Sequence, residues 1–459
     1  MNEKDIELAA EIQHLSEVQI EELYQKYLNG AKNADLIEEY GINVTPNKLI
    51  TVFPPRKLLN ELCPYCSVPM YSKRKSKSYS SWDTIPIECY KCEHKLFIDT
   101  NDYNRRECRC ENCLTIRHRE RLAKETRQRN AIREVYNLDR YEPVPYDDLT
   151  FFQKIVLLTL FRMQTDEEFD YILSLDDPRR TIQLSPTSLM DTECIKNLLK
   201  SRVIVVDPDS SITAFCEEDD FQKFYLRQVR WVVNISLEGT YRSSLSEVYN
   251  KTYTELREAV RIEWEHNLHD LIYKLSVEEV LQYLYVKSDE LRLNFTAEKK
   301  TREVVNQLLE NFAVSEIYYF VKKSVEDAHI FYTKGQAQSK KHAANIIPNK
   351  MLTLGERAIN ENWSTYKYNR DSRAPRSYLS QILFDFVLQD KDAGFTKAIG
   401  KYWSEELYPR YFFQEELENS NSLYCLDCGS TLIDIAMEDA VLKAKCKSCG
   451  ITKEYVSHS

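Results

Sequence analysis

The chain has 459 residues, with 62 Lys and Arg against 72 Asp and Glu, a formal net charge of −10. Hydrophobic residues make up 43% and charged residues 29%, enough apolar material for roughly two to four domains with cores of their own. Only 9 glycines occur, about 2% against a usual ~7%; this argues against Gly-rich phosphate loops, repeated tight hairpins and dinucleotide-binding units, and favours helices.

The 30 Tyr and 18 Phe predict aromatic cores or stacking surfaces. The first residues, Met1 to Asp5, are charged rather than apolar, and no run approaches the ~18 apolar residues of a membrane span. A cytoplasmic chain without a membrane partner is therefore expected, the paired thiols among its 13 cysteines serving metals rather than disulfides. The charge is uneven. Between Arg56 and Arg133 there are 18 Lys and Arg against 10 Asp and Glu, so a basic segment sits on an otherwise acidic chain, the asymmetry of a polyanion binder.

In chain order, residues 1 to 16 read as a helix. Ile20, Leu23, Tyr24, Tyr27 and Leu28 form the apolar stripe of a second helix, stopped at Gly30. Asn33 to Tyr40 is a short helix ending at Gly41, and Thr45 with Pro46 can open another through Thr51. On Ala34, Leu36, Ile37, Gly41, Ile42, Leu49 and Ile50 this segment resembles the helix-turn-helix of resolvases and site-specific regulators. The resemblance implies that Thr45, Asn47, Lys48 and Thr51 face the major groove.

Cys63-Pro-Tyr-Cys66 and Cys89-Tyr-Lys-Cys92 have the spacing of a zinc ribbon, two knuckles each offering two thiolates to one tetrahedral metal. The polar stretch from Lys73 to Ser81 is expected to turn, and Trp82 to Glu88 to return as a strand. Cys108, Cys110 and Cys113 follow and need one more ligand, which either His94 or His118 can supply; a cross-braced sorting of the eight ligands is also open. From Arg117 to Arg133 the chain reads as a basic helix in which Arg117, Arg119, Arg121 and Arg127 would contact phosphates.

Pro143 to Asp148 reads as a linker, and Phe151, Phe152, Ile155 and Leu158 as one helical apolar face. A helix over Asp191 to Leu199 precedes a strand, turn and strand from Val203 to Phe215. This resembles a winged helix, with acidic surroundings (Glu217 to Asp220) that imply a protein contact rather than DNA. Cys194 and Cys216 are expected to be core thiols. Residues 221 to 410 read as long helices, including Leu256 to Ile272 and Val277 to Val286. His266 and His269 are spaced i, i+3 but have no distant third ligand. An aromatic helix (Ile317 to Val321, Ala328 to Tyr332), Lys340 to Lys350, and Arg370, Arg373 and Arg376 form a possible binding face, for RNA or single-stranded DNA or for a subunit.

The tail carries Cys425-Leu-Asp-Cys428-Gly and Cys446-Lys-Ser-Cys449-Gly, two further knuckles in which the glycine supplies a positive-φ turn. No nucleotide-loop, metalloprotease or hydrolase motif occurs, and no catalytic residue is assigned. The expected architecture is mainly α and multidomain. It comprises a helix-turn-helix-like module (1–55), a double zinc-binding basic module with small ribbon sheets (56–142), a winged-helix-like module (143–220), a helical domain (221–415) and a C-terminal zinc ribbon (416–459). With three structural Zn²⁺ sites expected, the leading functional expectation is a nucleic-acid-binding protein, DNA over RNA, of a bacterial or phage system. A docking adaptor for a protein partner, as in phage defence or a mobile element, and a nuclease or transposition enzyme with a dispersed acidic site are the alternatives.

Overall fold

In the computed structural model, residues 7–79, 85–97, 107–164, 170–180, 182–413, 428, 433–438 and 441–456 are described. The protein is mainly helical with small, mostly antiparallel sheets, and divides into two compact units, 1–131 and 132–459.

The first unit opens with a small helical bundle. Helix α1 (Glu17–Leu28) starts at Ser16, whose hydroxyl accepts from Gln19 N while the Gln19 side chain accepts from Ser16 N, so two orphan donors are satisfied reciprocally. Its expected stripe turns inward at Ile20, Leu23, Tyr24 and Tyr27, whereas Leu28 is exposed. Helix α2 (Asn33–Glu39) ends at Gly41, which takes φ 61° as a C′ glycine should. These helices close on Ile12, Leu15, Leu36, Ile42, Leu49 and Phe53. Ahead of α1 the described residues form only a short 3₁₀ turn, Ala10–Ile12, in place of the helix expected over residues 1 to 16.

The third helix is also shorter than expected. Pro46–Lys48 is a 3₁₀ turn running into a single α turn, α3 (Leu49–Val52), and Thr45 makes no side-chain cap. Phe53 is already extended and Pro54 and Pro55 follow, so the helix cannot lengthen. A reading helix needs length to lie along a groove; what the structure gives is a compact helical bundle.

A four-stranded antiparallel sheet follows, in the order β1 (Arg56–Leu62), β2 (Pro69–Ser72), β3 (Ile87–Glu88), β4 (Lys95–Leu96). The polar stretch after β2 docks on the bundle. Tyr24 OH donates to Lys75 O (3.1 Å) and accepts from Lys75 N (3.0 Å), and Arg74 lies over the Tyr24 ring while bonding Glu21. Helix α4 (Glu111–Val135) then runs for 25 residues, of which Ile132 alone is buried.

In the second unit, Pro143 to Asp148 is not a free linker. Strand β5 (Val144–Pro145) pairs in parallel with β8 (Ile235–Ser236), and Tyr146 is buried. Helix α5 (Phe151–Arg162), capped by Thr150 and Gln153, is apolar on nearly every face and buried throughout its middle. Helix α6 (Ser188–Lys200) leads to β6 (Ile204–Val206), but the expected wing hairpin does not form. Ile212–Ala214 is a 3₁₀ turn, and β6 pairs with β7 (Trp231–Val233) instead, with Val205 opposite Val232. Cys194 is fully buried and Cys216 half-buried.

The body continues with α7 (Leu245–Glu258), α8 (Glu265–Glu290), α9 (Lys299–Leu309), α10 (Val314–Thr333), α11 (Lys340–Ala344) and α12 (Ile347–Asn360). A break at Ala259 to Arg261 splits the helix expected over Leu256 to Ile272. Helix α10 packs on α8, and Tyr283 and Tyr318 stack 3.7 Å apart between them. Two π-helical segments, Ile382–Val387 and Tyr402–Leu407, follow. The C-terminal sheet has the order β11 (Thr452–Val456), β10 (Val441–Cys446), β9 (Ile433–Glu438), antiparallel throughout.

Candidate metal centres

Each ribbon knuckle folds for a local reason. Cys63 N donates to Val68 O (2.9 Å) and Ser67 N returns to Cys63 O (2.9 Å), closing a loop around the two thiols. The second knuckle repeats it, with Cys89 N donating to His94 O (2.7 Å), and the tail repeats it again, with Cys446 N to Ile451 O (2.8 Å) and Gly450 N to Cys446 O (2.9 Å). In all three the fourth residue after the first cysteine has positive φ: Ser67 (54°), Glu93 (57°) and Gly450 (76°). The glycine expected in the tail knuckle is there. The N-terminal knuckles hold side-chain residues in the same strained place.

Three groups of ligand atoms result, the atoms of each lying within 4.8 Å of one another. The first is Cys63, Cys66, Cys89 and Cys92, the second His94, Cys108, Cys110 and Cys113, and the third Cys428, Cys446 and Cys449. Cys425 and Gly429 lie outside the described residues. The sulfur separations, 3.5 Å for Cys63–Cys92 and 3.6 Å for Cys428–Cys446, approach the edge of a tetrahedron of 2.3 Å metal–sulfur bonds, roughly 3.8 Å. In the second group His94 Nδ1 stands 3.3 Å from Cys113 Sγ and 3.8 Å from Cys110 Sγ. These groups could hold metal ions, and the ligands sort sequentially rather than in a cross-brace.

His118 is the histidine left out. It is exposed on α4 and contacts Arg121 (3.3 Å) instead. Helix α4 begins at Glu111, so His118 stands about two turns beyond Cys110, while His94 lies on the knuckle itself.

Thiolate character is favoured unequally. At Cys446 the backbone N–H groups of Cys449 and Ser448 outweigh burial and bring the thiol down to about 6. At Cys89 and Cys108 burial pushes upward, but backbone donors (Cys92 and Lys91 for the first, Cys110 and Lys95 for the second) hold both below the ordinary thiol value. Burial lowers the His94 pKa and so favours the neutral imidazole, the form a metal needs.

Of the residues expected to touch nucleic acid, Arg117 is tied into the second group and the others lie on the surface. Arg117 donates to Cys108 O (2.6 Å) and pairs with Glu107 (3.5 Å), clamping the second group. Arg119, Arg121 and Arg127 are exposed on α4. Thr45, Asn47, Lys48 and Thr51 are exposed on the bundle, with Thr51 Oγ1 bonded to Lys48 O. His266 and His269 each face Asp270 and join none of the three groups.

The face expected between Phe312 and Arg376 is split: its aromatic helix turns inward over the first half and its arginines are paired, while Lys341, His342 and Lys350 are exposed. Ile317, Tyr318, Phe320 and Val321 are core residues. Arg370 is held by Glu279 (3.1 Å) and Asp392 (2.7 Å), Arg373 by Glu290, and Arg376 by Asp385 (2.8 Å).

Sequence reasoning missed Tyr65. Sitting between the cysteines of the first knuckle, it places its hydroxyl 3.1 Å from Cys113 Sγ of the second group and its ring edge against His94. Nothing in a C-P-Y-C motif marks that role. Comparison with protein families, with curated proteins and with solved structures finds no match to this chain.

Proposed function

We propose that the protein is a zinc-stabilised nucleic-acid-binding protein, favouring DNA over RNA, whose metal centres present helix α4 to the phosphate backbone. Zinc suits the ligand chemistry: all-thiolate and three-thiolate-one-imidazole sets with tetrahedral spacing are its structural sites. One observation carries the reading. Helix α4 leaves the second ligand group and stays exposed along nearly its whole length, with Arg119, Arg121 and Arg127 on its surface. A helix this charged, with no continuous apolar stripe to give to a core, suits sequence-independent phosphate contact. Thr45, Asn47, Lys48 and Thr51 on the bundle are the further contacts this reading assigns, together with Arg117, which also holds Cys108 O.

A second reading has an observation of its own. Leu114, Ile116 and Leu122 are exposed on the same helix, which favours docking of a protein partner. As for the enzyme reading, the converging metal-type groups among the described residues are those of cysteine and histidine, not of carboxylates.

The test is binding of zinc-loaded protein to labelled duplex DNA, single-stranded DNA and RNA at two salt concentrations. An Arg119/Arg121/Arg127→Ala variant runs beside it. Binding should weaken with salt, and the variant should lower the salt slope by about 0.9 for each phosphate it no longer neutralises. No binding to any of the three at low salt overturns the proposal and leaves the docking reading.

A further inference from the structure

We propose that the second metal centre is built on the first, so that the two ions load in a fixed order and the start of α4 is set only when both are in place. This inference is independent of what α4 binds.

The first centre closes on its own backbone: Ser67 N bonds Cys63 O, Cys63 N bonds Val68 O, and Cys89 N bonds His94 O. The second centre borrows from both of those knuckles. His94 uses its carbonyl to close the Cys89 knuckle and its imidazole to join Cys110 and Cys113. Tyr65, fixed between Cys63 and Cys66, points its hydroxyl at Cys113 Sγ (3.1 Å) and sets its ring edge-on to His94, with centroids 5.0 Å apart. Lys95 is paired with Glu88, next to Cys89, and donates its backbone N–H to Cys108 Sγ (3.1 Å). Each of Cys108, Cys113 and His94 is thus oriented by a residue that the first centre holds in place.

The chemistry gives those interactions weight. A metal-bound thiolate carries negative charge, and a hydroxyl or amide N–H aimed at it stabilises that charge and fixes the sulfur lone pair toward the ion. Outer partners of this kind are typically worth 10–100-fold in metal affinity. Without the first ion, Tyr65, His94 and Lys95 lose their fixed places together, and the second site keeps only Cys108, Cys110 and Cys113, tied by Arg117 to Cys108 O and by the first turn of α4 but without a fourth ligand in place. The coupling is reciprocal in free energy, and the order follows because the first knuckles are closed by hydrogen bonds within residues 63–68 and 89–94 and so are ready for their ion before the second site is assembled. Cys113 lies in the first turn of α4, so the second ion anchors that helix end.

Tyr65 is a positioning residue here, and its test needs a readout that plain misfolding would not give. Zinc content of the full chain would be measured by native mass spectrometry for the wild type and for Cys63→Ser, Cys110→Ser and Tyr65→Phe. Release to a chromogenic chelator and the visible spectrum of the cobalt-substituted protein would accompany it. Cys63→Ser should lose two ions relative to wild type and Cys110→Ser one, with the all-thiolate cobalt bands intact in the latter. Tyr65→Phe, which keeps the ring against His94, should retain all ions but release one of them about 10–100-fold faster. Loss of a single ion from Cys63→Ser, or of two from Cys110→Ser, overturns the ordered scheme. Unchanged release from Tyr65→Phe removes Tyr65 from it, and a wild-type chain that takes up no zinc or cobalt ends the proposal.

Discussion

Lys154 Nζ lies 3.0 Å from Glu255 Oε1, and the two side chains are only 5% and 6% exposed. Arg261 adds a second cation to the same oxygen (2.6 Å), and Tyr146 OH donates to the other (2.6 Å). The cluster ties the β5 turn, α5 and α7 together. Removing the carboxylate leaves Lys154 buried without its counterion, so Glu255→Leu should cost on the order of 3–5 kcal/mol. Denaturant unfolding checks this, and a loss under about 1 kcal/mol would contradict it.

A second ion pair gives a pH dependence with a definite sign. Lys287 donates to Asp371 Oδ2 (2.7 Å) and Arg373 N to Oδ1 (3.0 Å), holding the Asp371 carboxyl below its ordinary value. A depressed folded-state pKa stabilises the fold above the unfolded value, and that contribution is lost as pH falls through the folded one. Asp371→Asn should therefore lower stability at neutral pH and flatten its decline below about pH 4. Parallel slopes for the two proteins in an acid titration would argue against this.

Ser67 and Glu93 occupy the left-handed region where the tail knuckle has Gly450. An L-residue there costs roughly 1–2 kcal/mol, part of which glycine gives back through its freer unfolded chain. Ser67→Gly or Glu93→Gly should gain up to about 1 kcal/mol, and Gly450→Ala should lose a similar amount. Thermal unfolding of the zinc-loaded proteins measures both.

Gly400 is required for a different reason. A Cβ there would meet the Glu310 backbone, with the carbonyl oxygen at 2.8 Å and Cα at 2.9 Å. Backbone cannot swing aside, so Gly400→Ala should destabilise by about 1–3 kcal/mol. A neutral result in the same unfolding assay would show that the α9–α10 turn gives way.

The candidate metal groups were legible because most of their ligands come close together in sequence, the first group as two C-x-x-C pairs, and a knuckle folds on hydrogen bonds within six residues. The choice of His94 over His118 was not, since it depends on whether the histidine sits on the knuckle or on the helix that follows. The wing was misread because Ile204–Val206 finds its partner at Trp231–Val233, and an apolar run carries no mark of which strand it will meet. Arg370, Arg373 and Arg376 looked like a free cationic group only because Glu279, Glu290, Asp385 and Asp392 are spread over more than 100 residues of sequence. Thr45 promised a cap that Pro46 and the tight turn did not use.

Helix α4 has a consequence in time as well as in space. Its backbone hydrogen bonds are shielded almost only by its own side chains, so it can fray without disturbing any core. Its amide protons should exchange with solvent deuterium far sooner than those in the middle of α8, which are sealed by Leu275, Val280 and Leu284. The helix then depends for its shape on its own hydrogen bonds and on its two ends, and a partner laid along it would slow that exchange.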